Sequence, residues 1–485
     1  MNFPALISQV LPEVVLVVTA LLVLGLGVGG DRAGKPMRGA TGRLIAAAGS
    51  LLAIVLLWSV EATAGTLIAA DALSRMSKTA ILAMGLLSVL LPPAKGEIKE
   101  RGEFLALMLF SLAGLSLASG TNHLLLIFVA LELASLSLYL VTGFPRTARA
   151  GEASLKYFLF GSVSAAFLLF GISLVYGATY QGDLARIGSM LDSASPLAAA
   201  GLAMMLAGIG FKLAAAPFHA WAPDVYQGGP APGVAIVASA SKVAGLVVAV
   251  RILLLGFGLF GGSAAWGALA VGWAPWIGVL AAVSMIFGNL LALAQTSVRR
   301  LLGYSAIANT GYLLVALAAN DGASAGAALY HITGYGFATI GAFAVVAAVE
   351  KNRGSDSRDS FSGLVHRSPL LAISLLIFLA SLAGLPPLAG FTGKFAMFAS
   401  ALKGGGTGLA WLVILGALLS AVSLYYYILV LKCAFGSDEV GSELDVSAGH
   451  RVVVLVSAVL VVGLGMMPSP VLHGFVSALA DLMPG

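Results

Sequence analysis

The feature that most constrains this chain is the recurrence, along almost its whole length, of apolar runs about 20 residues long joined by short polar connections. A helix of that length spans ~30 Å, the thickness of a bilayer's hydrocarbon core. Hydrophobic residues make up 59% of the 485 and charged residues only 10%, where a soluble domain carries roughly 45–50% and about 25%. The pattern predicts an all-α polytopic membrane protein. About fourteen transmembrane helices are expected, at 10–28, 41–60, 74–94, 103–119, 122–142, 152–177, 197–218, 230–254, 267–294, 299–318, 323–350, 369–402, 408–434 and 450–468. The first run lacks a basic leader, carries Glu13 and is followed at once by another span, so it reads as a helix and not as a cleaved signal peptide.

Basic residues orient these spans. Alternating the connections places eighteen of the 26 Lys and Arg, from Arg32 to Arg451, on one side, and Arg75, Lys78, Arg186, Arg251 and Lys403 on the other. The richer side faces the cytoplasm by the positive-inside rule, which puts both termini in the periplasm of a bacterial inner membrane. A net charge of +5 spread in this way forms no patch for nucleic acid. The single cysteine, Cys433, excludes a disulfide framework and a thiolate cluster for zinc or iron–sulfur. No connection is long enough to hold a nucleotide, flavin or metal domain, so no cofactor is expected in the chain and its work is done within the bilayer.

Ionisable groups deep in spans cost roughly 2.5–3.5 kcal/mol each, which makes them functional candidates. They are Glu132, Lys212, Lys242, His331 and Lys394. Glu132 shares a helical face with Phe128, Ser135 and Tyr139, whose hydroxyls could bond a carboxylate. Lys212 is flanked by Gly208, Ala215 and Ala216, and Lys242 by Ala238, Ser239 and Gly245. Small neighbours let another helix approach, so these lysines belong in the bundle interior. The structural alternative is a static Glu132–Lys212 pair that orients two helices. Lys242 has no spare acid for such a pair, and His331, beside Tyr330 and Tyr335, reads equally as a satisfied core residue. His219 and Asp224 read as interface groups, while Glu13, Glu103 and Glu350 lie near span ends and are expected to reach water.

Two spans are interrupted. Pro217 follows Lys212, and Gly384, Pro386, Pro387, Gly390 and Gly393 precede Lys394. Proline removes a backbone donor, and broken backbone at membrane depth persists only where protein or a wet cavity satisfies it. Paired broken segments five helices apart match the inverted-repeat pattern of transporters. Burial disfavours an ammonium and a nearby carboxylate favours it, so a lysine whose acid partner changes is a switchable proton site. An ammonium offers donors and no acceptor, which favours protons over sodium as the carried ion.

The segments LPEVVLV (11–17), FVALELASLSLYLV (128–141), FKLAAAPFHAWAPDVYQGGP (211–230), SASKVAG (239–245) and LAGLPPLAGFTGKF (382–395) resemble the antiporter-like family of proton-translocating NADH:quinone oxidoreductase, respiratory complex I, shared with multisubunit cation/proton antiporters. The lysine at 394 and the early LPE resemble its subunit N branch, and the likeness runs over essentially the whole chain. It implies fourteen helices with two inverted five-helix repeats, each containing a broken helix. The division is then 1–102 for three N-terminal helices, 103–254 and 255–434 for the repeats, and 435–485 for a last helix and tail. The resemblance implies a Glu132–Lys212 input, Lys242 as connector and Lys394 as output, with His331 less securely placed. It further implies partner subunits that carry flavin, iron–sulfur clusters and quinone, another antiporter-like subunit, small membrane subunits and lipids. The alternatives are a subunit of a Na⁺/H⁺ antiporter, and a structural subunit whose charges only set helix registry.

Overall fold

The computed structural model describes residues 7–32, 37–59, 67–94, 96–191, 195–436 and 442–482. Lys35 and Lys95, two of the eighteen basic residues used for orientation, lie outside them. The described chain is helical, with isolated extended pairings at His123–Asp183, Ser263–Ala270 and Ser297–Ser357. It forms two compact units, one of 1–90, 96–212 and 228–259, the other of 91–95, 213–227 and 260–485.

The first unit contains α1 (Leu11–Arg32), α2 (Gly39–Ser59), α3 (Ala72–Leu90), α4 (Arg101–Ser119), α5 (Leu124–Gly143), α6 (Ala148–Thr179), the short α7 (Leu184–Met190) and nearly all of α8 (Pro196–Leu213). After α9 (Ala222–Gly228), most of which belongs to the second unit, come α10 (Ala231–Ala238), α11 (Ala240–Val250) and a π-helical turn, Arg251–Gly256. Local chemistry sets several of the starts. Thr147 caps α6 by accepting from Ala150 N at 3.2 Å, and Asp183 caps α7 by accepting from Arg186 N at 3.2 Å. α4 packs against α1, α3, α5 and α11. The outer face of α6 leaves Leu155, Phe158, Val163, Phe167 and Phe170 exposed, as a face turned to lipid requires.

The second unit contains α12 (Trp273–Leu293), α13 (Val298–Ala318), α14 (Gly322–Arg353), the short α15 (Leu364–Arg367), α16 (Pro369–Ala383), α17 (Ala389–Gly404), α18 (Ala410–Phe435), α19 (Ala448–Met466) and α20 (Ser469–Ala480). Ser297 starts α13 by accepting from Arg300 N at 3.1 Å, and Asp321 starts α14 by accepting from Ser324 N at 2.8 Å. α14 is the hub, packed by α13, α16, α17, α19 and α20. Its abundance of Gly and Ala lets five helices close around it.

Thirteen helices among the described residues are long and apolar enough to cross a bilayer. The expected twelfth span is two half-helices, α16 and α17, meeting at Gly384, whose φ of 90° only glycine adopts freely. The seventh stops at Leu213 instead of running to 218. Pro217 cannot follow a helical residue 213 without its ring striking that carbonyl, and the chain turns through Ala214 at a φ of 57°. A third interruption, unread in the sequence, falls inside 230–254 at Ser239, whose φ of −123° and ψ of −84° separate α10 from α11. The tail after 468 is not plain coil but α20, restarted by Pro470 in its first turn and packed on α14.

Three expected surface groups are instead interior. Glu13 is 6% exposed, Lys78 2% and Arg251 0%. Each has a partner far away in sequence, which a reading of span ends cannot supply. Glu350 pairs with Arg299, and Asp224 with Arg300 at 2.5 Å, within the second unit.

Candidate functional site

In the first unit, Lys212 is buried in the last turn of α8, where the helix's negative end favours an ammonium. Its Nζ donates to Ser135 Oγ on α5 at 3.1 Å. Glu132 stands one turn earlier on α5 and is half-buried. Ser135, expected to bond that carboxylate, serves the lysine instead. Tyr157 lies 4.7 Å from Tyr139 and 6.0 Å from Phe211, ring centre to ring centre, and so places an aromatic wall beside Lys212's neighbour in sequence. Lys242 is buried in the first turn of α11, just after the Ser239 break. That position is a helix's positive end, which opposes a charge there.

In the second unit, Lys394 on α17 is buried against the carbonyl end of α16. Its Nζ donates to Leu382 O at 3.0 Å, Ala383 O at 3.2 Å and Ser420 Oγ at 2.8 Å. Three protons thus meet three acceptors, and the ammonium also lies 4.8 Å from the centre of the Tyr312 ring. Ser381 Oγ accepts from Gly390 N at 3.1 Å, so side chains satisfy the break as its exposed backbone demands. The other break is held likewise. Leu213 O accepts from Thr310 Oγ1 at 2.6 Å, and Ala216 N donates to Ser284 Oγ at 2.9 Å.

His331, on α14, is brought beside Lys394's segment because Gly393 has no side chain to hold it off the imidazole. Its Nε2 is 3.4 Å from Asn309 Oδ1, and its Nδ1 is buried with no hydrogen-bond partner. A polar network that the sequence reading missed surrounds these two groups. Asn309 Nδ2 donates to Ser305 O at 2.9 Å, and Ser305 bonds the Tyr427 hydroxyl. Asn289 donates to the Tyr312 hydroxyl at 3.1 Å and accepts from the Tyr426 hydroxyl at 3.2 Å. The available signal was Asn289 and Asn309 inside long apolar runs, where a side-chain amide is costly without partners. A search restricted to ionisable groups passes over it.

Arg251 is the other large omission. Its guanidinium forks onto Asp71 at 3.0 and 2.8 Å and also donates to Asn122 at 2.6 Å, Ser74 at 2.8 Å and Ser119 O at 3.2 Å. This fully bonded cation anchors the π-helical end of the segment that carries Lys242. Among the described residues no group of three or more His, Cys, Asp and Glu could hold a metal ion.

Buried lysines, hydroxyls, amides and a histidine around broken helices define a membrane-embedded, antiporter-like protein whose interior polar groups form a potential proton path. The chain belongs to the family described as NADH:quinone oxidoreductase/Mrp antiporter, transmembrane, which it matches over residues 121–422. NADH-quinone oxidoreductase subunit N 2 of Acidobacterium capsulatum is 42% identical, over 96% of this chain and 98% of the relative. F(420)H(2) dehydrogenase subunit N of Methanosarcina mazei is 35% identical, over 99% of each. Among solved structures, a chain of respiratory complex I from Thermus thermophilus aligns with a TM-score of 0.79 at 33% identity, covering 95% of this chain and 98% of that one.

Proposed function

We propose that this chain is a proton-translocating membrane subunit of an NADH:quinone oxidoreductase, moving protons from cytoplasm to periplasm while quinone is reduced in other subunits. The observation that carries this reading is that both units enclose a buried lysine bonded to neutral oxygens next to interrupted helix. Such a lysine holds or releases a proton as its surroundings change. Glu132 with Lys212 forms the input, Lys242 the connector, His331 a relay and Lys394 the output. The two repeats are inverted, at 103–254 and 255–434, flanked by helices 1–102 and 435–485. Both termini face the periplasm of a bacterial inner membrane. Another antiporter-like subunit, small membrane subunits and lipids surround the chain, and flavin, iron–sulfur clusters and the quinone site belong to partners. A reading as a Na⁺/H⁺ antiporter subunit fits the same fold, but at both sites a lysine ammonium already engages the oxygens that a sodium ion would need and repels a second cation.

The test replaces Lys212 with Ala, with Lys394→Ala in parallel, and follows complex assembly, quinone reduction and ΔpH formation in inverted membrane vesicles. Joint loss of pumping and electron transfer in an assembled complex is expected. Full pumping would make these charges structural and sink the proposal.

A further inference from the structure

The first unit buries one more lysine that this path does not use. Lys78 lies in the second turn of α3, and its Nζ is 2.7 Å from Glu13 Oε1 in the first turn of α1. The same oxygen accepts from the Ser116 hydroxyl at 2.6 Å. The other oxygen, Oε2, is buried with no hydrogen-bond partner. A pair that serves only to fix helix registry is most stable with both oxygens bonded, since an unsatisfied buried acceptor costs about 1–3 kcal/mol, and more when it is charged. Here the second oxygen is left open as a place for a proton or a water.

Water has a route to the lysine. Lys78 lines a narrow cleft together with Gln9, Asp71, Ser74 and Arg75, with room for roughly one water molecule. Asp71 is 22% exposed at its side chain, and Leu57, Ile68, Ala69 and Ala70 complete the lining, so the polar groups are set into a mostly apolar wall. Gly120 faces the lysine's tip, where a Cβ would strike both Cε and Nζ. The space for the ammonium is therefore built by the absence of a side chain. Arg251 shares Asp71 and Ser74 with this cleft, but a guanidinium keeps its proton and serves as a wall.

We propose that Lys78 and Glu13 form a proton-exchange site joining the interior of the first unit to water on the membrane face assigned above to the periplasm. An N–H bond of the ammonium breaks, its electron pair stays on Nζ, and the proton passes to cleft water. The carboxyl of Glu13, protonated from the interior, then returns a proton to the amine. This inference rests on the proton-translocating reading above, so its test must separate the two.

The experiment uses the assembled complex in membrane vesicles, with Cys433→Ser as background, and compares Lys78→Arg, Glu13→Gln and Lys78→Cys. Arginine keeps the charge and cannot deprotonate. Several-fold loss of ΔpH formation in Lys78→Arg and Glu13→Gln with assembly intact is expected, whereas full pumping in both overturns the site. Where Arg disturbs assembly, the introduced thiol of Lys78→Cys decides. 2-Aminoethyl methanethiosulfonate applied to it attaches a protonable amine and should restore pumping, while the trimethylammonium analogue attaches a fixed cation and should not. A thiol that reacts with neither reagent has no water access, and rescue by both makes the charge merely structural; either result overturns the site. Lys212→Ala in the same vesicles keeps the questions apart. Lost pumping there beside normal pumping in the Lys78 and Glu13 variants removes the exchange site and leaves the central path standing; full pumping in Lys212→Ala removes the central path itself.

Discussion

Lys394 and Lys212 keep an ammonium inside a membrane protein by opposite means. Lys394 has two backbone carbonyls, one hydroxyl and an aromatic face as its direct partners, none of them a carboxylate, and its titrating neighbour is the His331 imidazole beside Gly393. Lys212 has one hydroxyl, with a carboxylate one turn away on the helix that supplies it. A cradle of fixed dipoles gives a constant environment, because helix-end carbonyls cannot change charge. An environment containing an acid changes whenever that acid takes up or loses a proton. In the proposed function the first unit is therefore adjusted by a carboxylate, while in the second the ammonium's own hydrogen bonds are fixed and His331 is the group that changes.

The sharpest way to break this contrast is Lys394→Ala against Lys212→Ala. Removing Lys394 leaves Leu382 O without a donor and Ala383 O with Ser420 alone, at about 1–3 kcal/mol for the orphaned carbonyl. The second unit should then lose thermal stability as well as pumping, measured by the melting of the purified complex. Removing Lys212 frees only Ser135, whose hydroxyl can turn back onto its own helix. Pumping should vanish there with melting nearly unchanged. Equal melting losses would end the distinction.

Glu132→Gln comes next. It removes the titrating partner and keeps the shape, so pumping should fall several-fold with assembly intact, whereas no carboxylate substitution near Lys394 can mimic it. A normal ΔpH in this variant would show Lys212 to be as independent of a carboxylate as Lys394. Ser420→Ala is milder, removing one of three acceptors for about 0.5–1.5 kcal/mol. It should lower the rate of ΔpH formation about two- to tenfold, since a 1.4 kcal/mol change is a factor of 10.

The smallest effect is a control on a cation that neither site should resemble. Burial pushes the Asp71 carboxyl up, but the Arg251 charge and the bonds from Arg251 and Ser74 outweigh it and hold it below the ordinary value. A depressed carboxyl contributes stability above its unfolded value of about 3.9 and loses it only as pH falls through the lower folded value. Melting between pH 5 and 8 should therefore not respond to this clamp. A melting step in that window, present in the wild type and absent in Asp71→Asn, would count against it.

Hydropathy made most helices legible because lipid demands long apolar runs, and proline marked the breaks beside Lys212 and Lys394 because its missing donor is written in one residue. The Ser239 break carries no such mark: serine is common within helices, and only tertiary packing decides that its backbone leaves the helix there. α20 hid behind the Pro-Ser-Pro at 468–470, which reads as a stop and acts as a new start. The depth of Lys212, Lys242, His331 and Lys394 could be read from their spans. Their partners could not, since Ser135, Ser420, Asn309 and the carbonyls of α16 are neutral groups joined only by folding. Glu13 and Lys78 misled for a related reason, as two residues near helix ends, 65 positions apart, look solvated until their helices are placed side by side.

The three-for-three match at Lys394 has a consequence for hydration. A neutral amine offers two hydrogens and a lone pair where the ammonium offered three hydrogens, so each deprotonation creates a new acceptor, the lone pair on Nζ, that needs a donor. Ser420 already donates to Ala383 O at 3.2 Å and cannot serve both partners at once. The missing donor is then a water molecule that enters as the proton leaves. Turnover through the second unit should accordingly slow under osmotic stress from solutes too large to enter the protein, with a slope that counts the waters admitted per cycle.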